Sequence, residues 1–364
     1  MAGVGNIEAF TILFTIGVAA GTVLTGMVPG ASAAALSSIL LLLLGLPFVF
    51  RERIASFAEA RLIPLLFTCF FALGMFCSLL SSFDYVHCSS ALEELSLRAV
   101  ERLRAHIDAL PFRSESTAPL LKAFLSGDRS GLSRETVAVF RSSGASHLLA
   151  LSGLHMGIIY LIFDKLSYPL GRSPLARRLR YALIVSLSGF FTLMTGASPS
   201  IVRAFLFIFI GESLKLAGRE RKASRVLCLA LFAQLILDPE AIRSVGFQLS
   251  YLAMAGIFLI YPSLERLYPD GIRHDPLRWI WKSAALTISC QLFTAPLSWY
   301  YFHSFPRHFL LTNLLALPLT SLVIGSAVLC LSWSALFPCP ALILAATDWL
   351  CSSLLWVLQI ISGM

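Results

Sequence analysis

Apolar residues fall in long runs from one end of the chain to the other. The runs are 7–28, 31–50, 62–83, 143–163, 181–197, 199–216, 245–262, 283–302, 309–337 and 340–361. About 20 apolar residues wound as a helix cross a bilayer. The run 226–237 is short for a crossing and suits a re-entrant or broken helix. The run 309–337 holds Pro318, where a helix is expected to kink or split. The pattern predicts an all-α polytopic membrane protein with about ten or eleven membrane segments, some re-entrant or broken.

One stretch, 84–142, breaks the pattern. Within it, ALEELSLRAVERLRAHIDAL (91–110) places Leu92, Leu95, Ala99, Leu103, Ile107 and Leu110 at helical spacing, with Glu94, Arg98, Glu101 and Arg104 on the other side. Such a helix lies on the outer membrane surface or against the helix bundle. Gly127 and Gly131 then flank a polar turn, and Ser133 is placed to cap a helix running through 140. Three regions follow: N-terminal membrane segments at 1–83, an external polar linker at 84–142, and a transmembrane domain at 143–364. No repeat or low-complexity segment interrupts them.

Composition excludes an ordinary soluble domain. Hydrophobic residues are 57% of 364 positions and mean hydropathy is +0.80. Charged residues are 13%, against roughly 25% in soluble domains. The net charge of +8 is mainly a topology signal. Loops 51–61, 164–180, 215–225 and 263–282 carry 17 of the 28 basic residues and fall on one side if 226–237 crosses. The positive-inside rule makes that side cytoplasmic. The N-terminus is then cytoplasmic, while 84–142 and the C-terminus are external. Charge alone gives little support to a nucleic-acid patch.

No Lys or Arg precedes residue 51, so the first run lacks the basic start of a cleavable signal peptide and reads as a retained helix. The eight cysteines form no CxxC pair, and most lie in apolar runs, as small buried residues do. Neither a metal site nor a disulfide framework is expected, and no cofactor is implied. A GxxxxGK[ST] phosphate loop is absent from the sequence, which argues against an ATPase.

Four polar clusters interrupt the apolar pattern. In SHLLALSGLH (146–155), His147 and His155 are spaced i, i+8 and share a face if the helix is continuous. Ser152 and His155 are spaced i, i+3 and within reach of each other. Histidine at membrane depth is expensive and uncommon. The pair fits interhelical hydrogen bonding, the lining of a water-filled path, or a serine nucleophile with a histidine base. A metal lacks a third ligand nearby in sequence. Gly144, Gly153 and Gly157 allow close helix approach.

In TGASPSIVRAF (195–205), Ser198 suits the N-cap and Pro199 the first helical position, so Arg203 lies one turn inside, with Ser200 between. That helix start would favour a phosphate. Alternatively, Arg203 snorkels to the interface or pairs with a carboxylate. In VGFQLSYLAMAGI (245–257), Gln248 and Ser250 either bond backbone groups between helices or form a polar wall. In GDRSG (127–131), Asp128 and Arg129 either pair with each other or serve a function.

Taken in order, LSGDRSGLS, SHLLALSGLHMGI, TGASPSIVRA and DPEAIRSVGFQLSYLA resemble the competence domain of the ComEC family, over roughly residues 91–364. Each motif alone is weak; four in this order are specific. The resemblance implies a bacterial inner-membrane channel conducting single-stranded DNA into the cytoplasm during natural transformation. It implies that Asp128, Arg129, His147, Ser152, His155, Ser200, Arg203, Gln248 and Ser250 cluster in the membrane bundle.

Family members often carry an OB-like domain before this region and a metallo-β-lactamase-like domain after it. Only about 40 residues separate the third run from GDRSG, too few for a barrel, and no HxHxDH cluster occurs. A member shortened to its membrane core is therefore expected, without nuclease activity. Implied partners are single-stranded DNA and the lipid bilayer, with a DNA receptor, a cytoplasmic DNA motor, a separate nuclease and a second copy of the chain in prospect. An intramembrane hydrolase using Ser152 and His155, or a remnant that no longer transports, are the alternatives.

Overall fold

The structure, a computed structural model, describes residues 4–25, 68–78, 90–171, 173–269, 276–303 and 308–363. The predicted run 31–50 and basic loop 51–61 lie outside the described residues, as do the outer ends of runs 7–28 and 62–83, and Cys88, Arg172, Arg273 and Arg307.

All regular structure among the described residues is helical. In chain order the helices are α1 (Val4–Thr25), α2 (Thr68–Ser78), α3 (Ser90–Asp108), α4 (Thr117–Ser126), α5 (Arg134–Ser142), α6 (Ser146–Leu149), α7 (Gly153–Leu166) and α8 (Pro174–Met194). There follow α9 (Pro199–Leu216), α10 (Ala223–Leu237), α11 (Val245–Leu259), α12 (Tyr261–Glu265), α13 (Pro276–Phe302), α14 (Phe309–Ser334) and α15 (Ala341–Ser362). Among the described residues two helices, α14 and α15, are long and apolar enough to cross a membrane, with mean hydropathy 2.3 and 1.8. α14 runs through Pro318 without a break, so the expected split does not occur.

The chain divides into two compact units. The first holds α1, α2, α10, the second half of α9 and the start of α11. Glycines let its helices touch backbone to backbone. A Cβ on Gly17 would run into the Phe71 carbonyl, and one on Gly74 into the Phe14 carbonyl. Phe10 and Phe70 stack at 4.8 Å, and Phe14 meets Phe232 at 4.5 Å. Arg243 donates to the Thr22 carbonyl at the end of α1.

The second unit holds Ser89–Phe205 and Leu249–Met364. Its core joins Ile107 of α3, Leu120 and Phe124 of α4, Phe140 of α5 and Leu148 of α6 to Val323, Ile324 and Ala327 of α14 and Leu354 and Leu358 of α15. The polar stretch therefore packs against the bundle, one of the two placements its amphipathic pattern allowed. Its buried stripe differs from the expected one. Ser96, Val100 and Ile107 are buried, while Leu95 is 54% exposed. The stripe follows Val100, which the leucine count passes over. The Ser133 cap forms as predicted, its hydroxyl accepting from the Thr136 N–H at 3.0 Å.

Candidate anion site at the start of helix α7

The run 143–163 is not one helix. It is α6, a break at Ala150–Ser152, and then α7. The two histidines therefore do not share a face of a continuous helix. His147 is exposed on α6, its Nδ1 3.2 Å from the Gly144 carbonyl. His155 is buried, 1% exposed, in the first turn of α7.

Two contacts make the break. Arg129 Nε donates to the Leu149 carbonyl at 3.0 Å, satisfying an acceptor that a continuing helix would have used. Ser152 caps α7: its Oγ accepts from the Leu154 N–H at 3.3 Å, and its own N–H donates to His155 Nδ1 at 3.3 Å. This is a capping box with histidine in the usual glutamate position. Ser152 Oγ also lies 3.0 Å from His155 Nδ1. With Nδ1 accepting, the ring proton belongs on Nε2. Nε2 is buried and has no hydrogen-bond partner among the described residues. The His155 ring meets Phe124 edge-on at 5.8 Å.

The GDRSG turn seats this break. Gly127 has φ +76° and closes α4; a Cβ there would lie 2.9 Å from Leu151 Cδ1. Asp128 and Arg129 do not pair with each other. Asp128 accepts from the Ser130 hydroxyl at 2.7 Å and its N–H at 3.0 Å, and faces Arg104 at 3.4 Å. The Ser130 hydrogen bonds, with help from Arg104, hold the Asp128 carboxyl below its usual range.

Arg203 reaches the same place from α9. A Cβ on Gly153 would sit 3.3 Å from Arg203 Nη2 and 3.7 Å from Ala204 Cβ, so the first residue of α7 packs directly on α9. The Arg203 guanidinium lies 5.7 Å from the centre of the Tyr251 ring. Its Nη1 is buried with no hydrogen-bond partner, and it forms no ion pair among the described residues. The carboxylate-pairing alternative is therefore not realised among these residues. α9 starts at Pro199 as expected, with the Ile201 and Val202 N–H groups donating to the Ser198 carbonyl. The Ser198 hydroxyl, expected as a cap, is buried without a partner among the described residues. Just before it, Ala197 takes φ +48°, a left-handed conformation that side chains rarely adopt.

The second unit thus brings together Arg129, Ser152, His155 and Arg203, with Asp128 on the adjoining turn. Ser200 and Ser250 are partly buried on α9 and α11. Gln248 belongs to the first unit, where its Nε2 donates to the Ile242 carbonyl at 2.8 Å. Tyr251 and Arg104 complete the arrangement. Tyr251 stands one residue beyond Ser250 in an apolar run, and the helical pattern places Arg104 only on the side opposite the leucines. Spacing alone marks neither.

Chemically, the N-terminus of α7 presents the positive end of a 14-residue helix with a full cation beside it. Arg203 Nη1 and His155 Nε2 are both buried donors without a partner among the described residues, and Arg203 beside the start of α7 is the candidate contact for a phosphate oxygen.

A family model described as Competence protein matches residues 124–364. ComE operon protein 3 of Bacillus subtilis is 28% identical over 245 residues, 65% of this chain and 30% of that protein. Competence protein ComA of Neisseria gonorrhoeae is 30% identical over 211 residues, 56% of this chain and 29% of that protein. Recombination protein 2 of Haemophilus influenzae is 26% identical over 227 residues, 58% of this chain and 28% of that protein. The matched region spans less than a third of each relative's length. No solved structure matches the chain.

Proposed function

The chain belongs to the competence protein family, and from that premise we propose that it is the membrane core of a channel for single-stranded DNA taken up in transformation. The observation carrying this reading is Arg203, a cation without a carboxylate partner among the described residues, held against the first turn of α7 and over Tyr251. A polyanion crossing a bilayer needs donors for phosphate and an aromatic face for bases. It also needs weak sites, because many fixed cations would trap it. Arg203 with Tyr251 supplies one of each. Arg129, Ser152 and His155 shape the break that presents them.

In this reading the protein is a multi-pass protein of the bacterial inner membrane with ten or eleven segments, its first residue cytoplasmic and its last external. Large apolar side chains turn outward along α14 and α15, among them Leu315, Leu322 and Leu329 and then Leu342, Trp349 and Trp356. Their seven-residue spacing forms stripes suited to lipid.

Binding of fluorescent single-stranded oligonucleotide to the detergent-purified protein tests the proposal. Arg203→Ala weakens binding about tenfold and flattens the salt dependence by about 0.7 in log–log slope. It also lowers uptake of labelled DNA in cells at equal protein level. Unchanged binding and uptake in a well-expressed Arg203→Ala protein would remove this site from the mechanism.

One contact favours a second reading, an intramembrane hydrolase: Ser152 Oγ lies 3.0 Å from His155 Nδ1. The same nitrogen receives the Ser152 N–H, and Nε2 has no acceptor among the described residues to orient the ring as a base requires. Labelling of Ser152 by a fluorophosphonate, dependent on His155, would establish the hydrolase; none is expected.

A further inference from the structure

Two hydrogen bonds tie the polar stretch to opposite ends of one membrane helix. His106 Nε2, in the last turn of α3, lies 2.8 Å from Ser334 Oγ at the C-terminal end of α14. The Ser143 carbonyl, just after α5, accepts from Thr312 Oγ1 at 2.6 Å, in the first turn of α14. Residues 312 and 334 are separated by about 33 Å at 1.5 Å per residue. That is the thickness of a bilayer's hydrocarbon core, about 30 Å. Residues 106 and 143 therefore stand at opposite ends of a membrane-crossing helix.

We infer that residues 90–143 are not a surface linker: they descend along the bundle to the cytoplasmic end of α14 and climb back as a re-entrant hairpin with a wetted, charged face. This rests on the membrane reading of α14 proposed above. Contacts at the turn and on the return leg agree with it. At the bottom, Arg113 N–H and Thr117 Oγ1 donate to the buried Asp348 carboxylate of α15, at 2.8 and 2.6 Å. Asp348 lies seven residues, about 10 Å, from the start of α15. On the way back, α4 packs on α14 and α15, and α5 on α15.

Both ends of the hairpin are then external, as the basic loops require, although its turn is not. Three ion pairs offset part of the charge on the hairpin. Lys122 bonds Asp108 at 2.8 Å, and Arg104 faces Asp128 at 3.4 Å. Glu94 pairs with Arg98, and both side chains are more than 60% exposed. Charged side chains so exposed at this depth need water beside them, so this face borders an aqueous path.

Cysteine accessibility tests the inference. Ala109→Cys, Ser142→Cys, Leu310→Cys and Leu336→Cys are made singly and treated with a membrane-impermeant maleimide on spheroplasts and on inverted vesicles. Labelling is read peptide by peptide by mass spectrometry, so the native cysteines stay. Positions 142 and 310 are expected to label from outside, and 109 and 336 from the cytoplasmic face. If 310 and 336 label from opposite faces but 109 labels with 142, the hairpin is overturned and the membrane reading stands. If 310 and 336 label from the same face, the membrane reading fails and takes the hairpin with it. Two further variants test the wetted face: Arg98→Cys labels, whereas Leu322→Cys, on the outward stripe of α14, does not. Equal silence at both positions would overturn the aqueous face.

Discussion

At residue scale, the turn at 127–131 seats the break that precedes α7. Gly127 must be left-handed, and its missing Cβ makes room for Leu151. Gly127→Ala is expected to destabilise the protein by about 1–2 kcal/mol from the backbone alone, with more from the Leu151 contact. Thermal unfolding in detergent measures this, and Leu151→Ala in the same chain recovers the steric part only. Ala197, with φ +48°, gives the opposite sign: Ala197→Gly raises the melting temperature by relieving up to about 1 kcal/mol. Asp128 sets a pH expectation. Its carboxyl is held low, so its stabilisation is fully present above the unfolded value of about 3.9 and is lost only as pH falls through the lower folded value. The stability difference between Asp128→Asn and the parent protein should therefore be flat from pH 5.5 to 8; a slope there would contradict the Ser130 hydrogen bonds as its cause.

At the scale of elements, apolar periodicity located most helices well, and α9 begins and ends where the run 199–216 does. The Ser133 cap was equally legible, because a cap is a local device. The break at Ala150–Ser152 was not, because half of it comes from elsewhere. Arg129 arrives from 20 residues away to take the Leu149 carbonyl, and no Pro marks the place. Arg129→Ala leaves that acceptor unmet, at about 1–3 kcal/mol, and is expected to weaken oligonucleotide binding along with stability. Gly256 shows another limit. A Cβ there would run into the Ser289 carbonyl, so α11 and α13 touch through backbone. Gly256→Leu should abolish the monodisperse peak in detergent chromatography, whereas Gly325→Ala, with open space around it, should not.

For the whole molecule, hydropathy and charge predict a membrane chain and an orientation for its loops, but they do not choose between the two placements open to the polar stretch. Counting charges assigns 84–142 to water outside the bilayer. The core puts Phe124 and Phe140 of that stretch with Val323 and Leu354 of the two long apolar helices α14 and α15. Sequence patterning reports the average polarity of a segment; it does not report which polar groups pair with each other. Lys122 with Asp108 and Arg104 with Asp128 are such pairs, formed between helices that no local window connects. The site itself was half legible: Ser152, His155 and Arg203 came from motifs, whereas Tyr251 needed the fold.

A guanidinium with an unused edge also turns purification chemistry into an assay. Under the proposed function, an anion that reached Arg203 Nη1 would bind the folded state alone and would raise its melting temperature by mass action. At a hundredfold excess over its dissociation constant the gain is about 2.7 kcal/mol. Samples in phosphate should therefore melt above samples in chloride at matched ionic strength, and Arg203→Ala should erase the gap. The choice of buffer would then decide which state of the protein is ever observed.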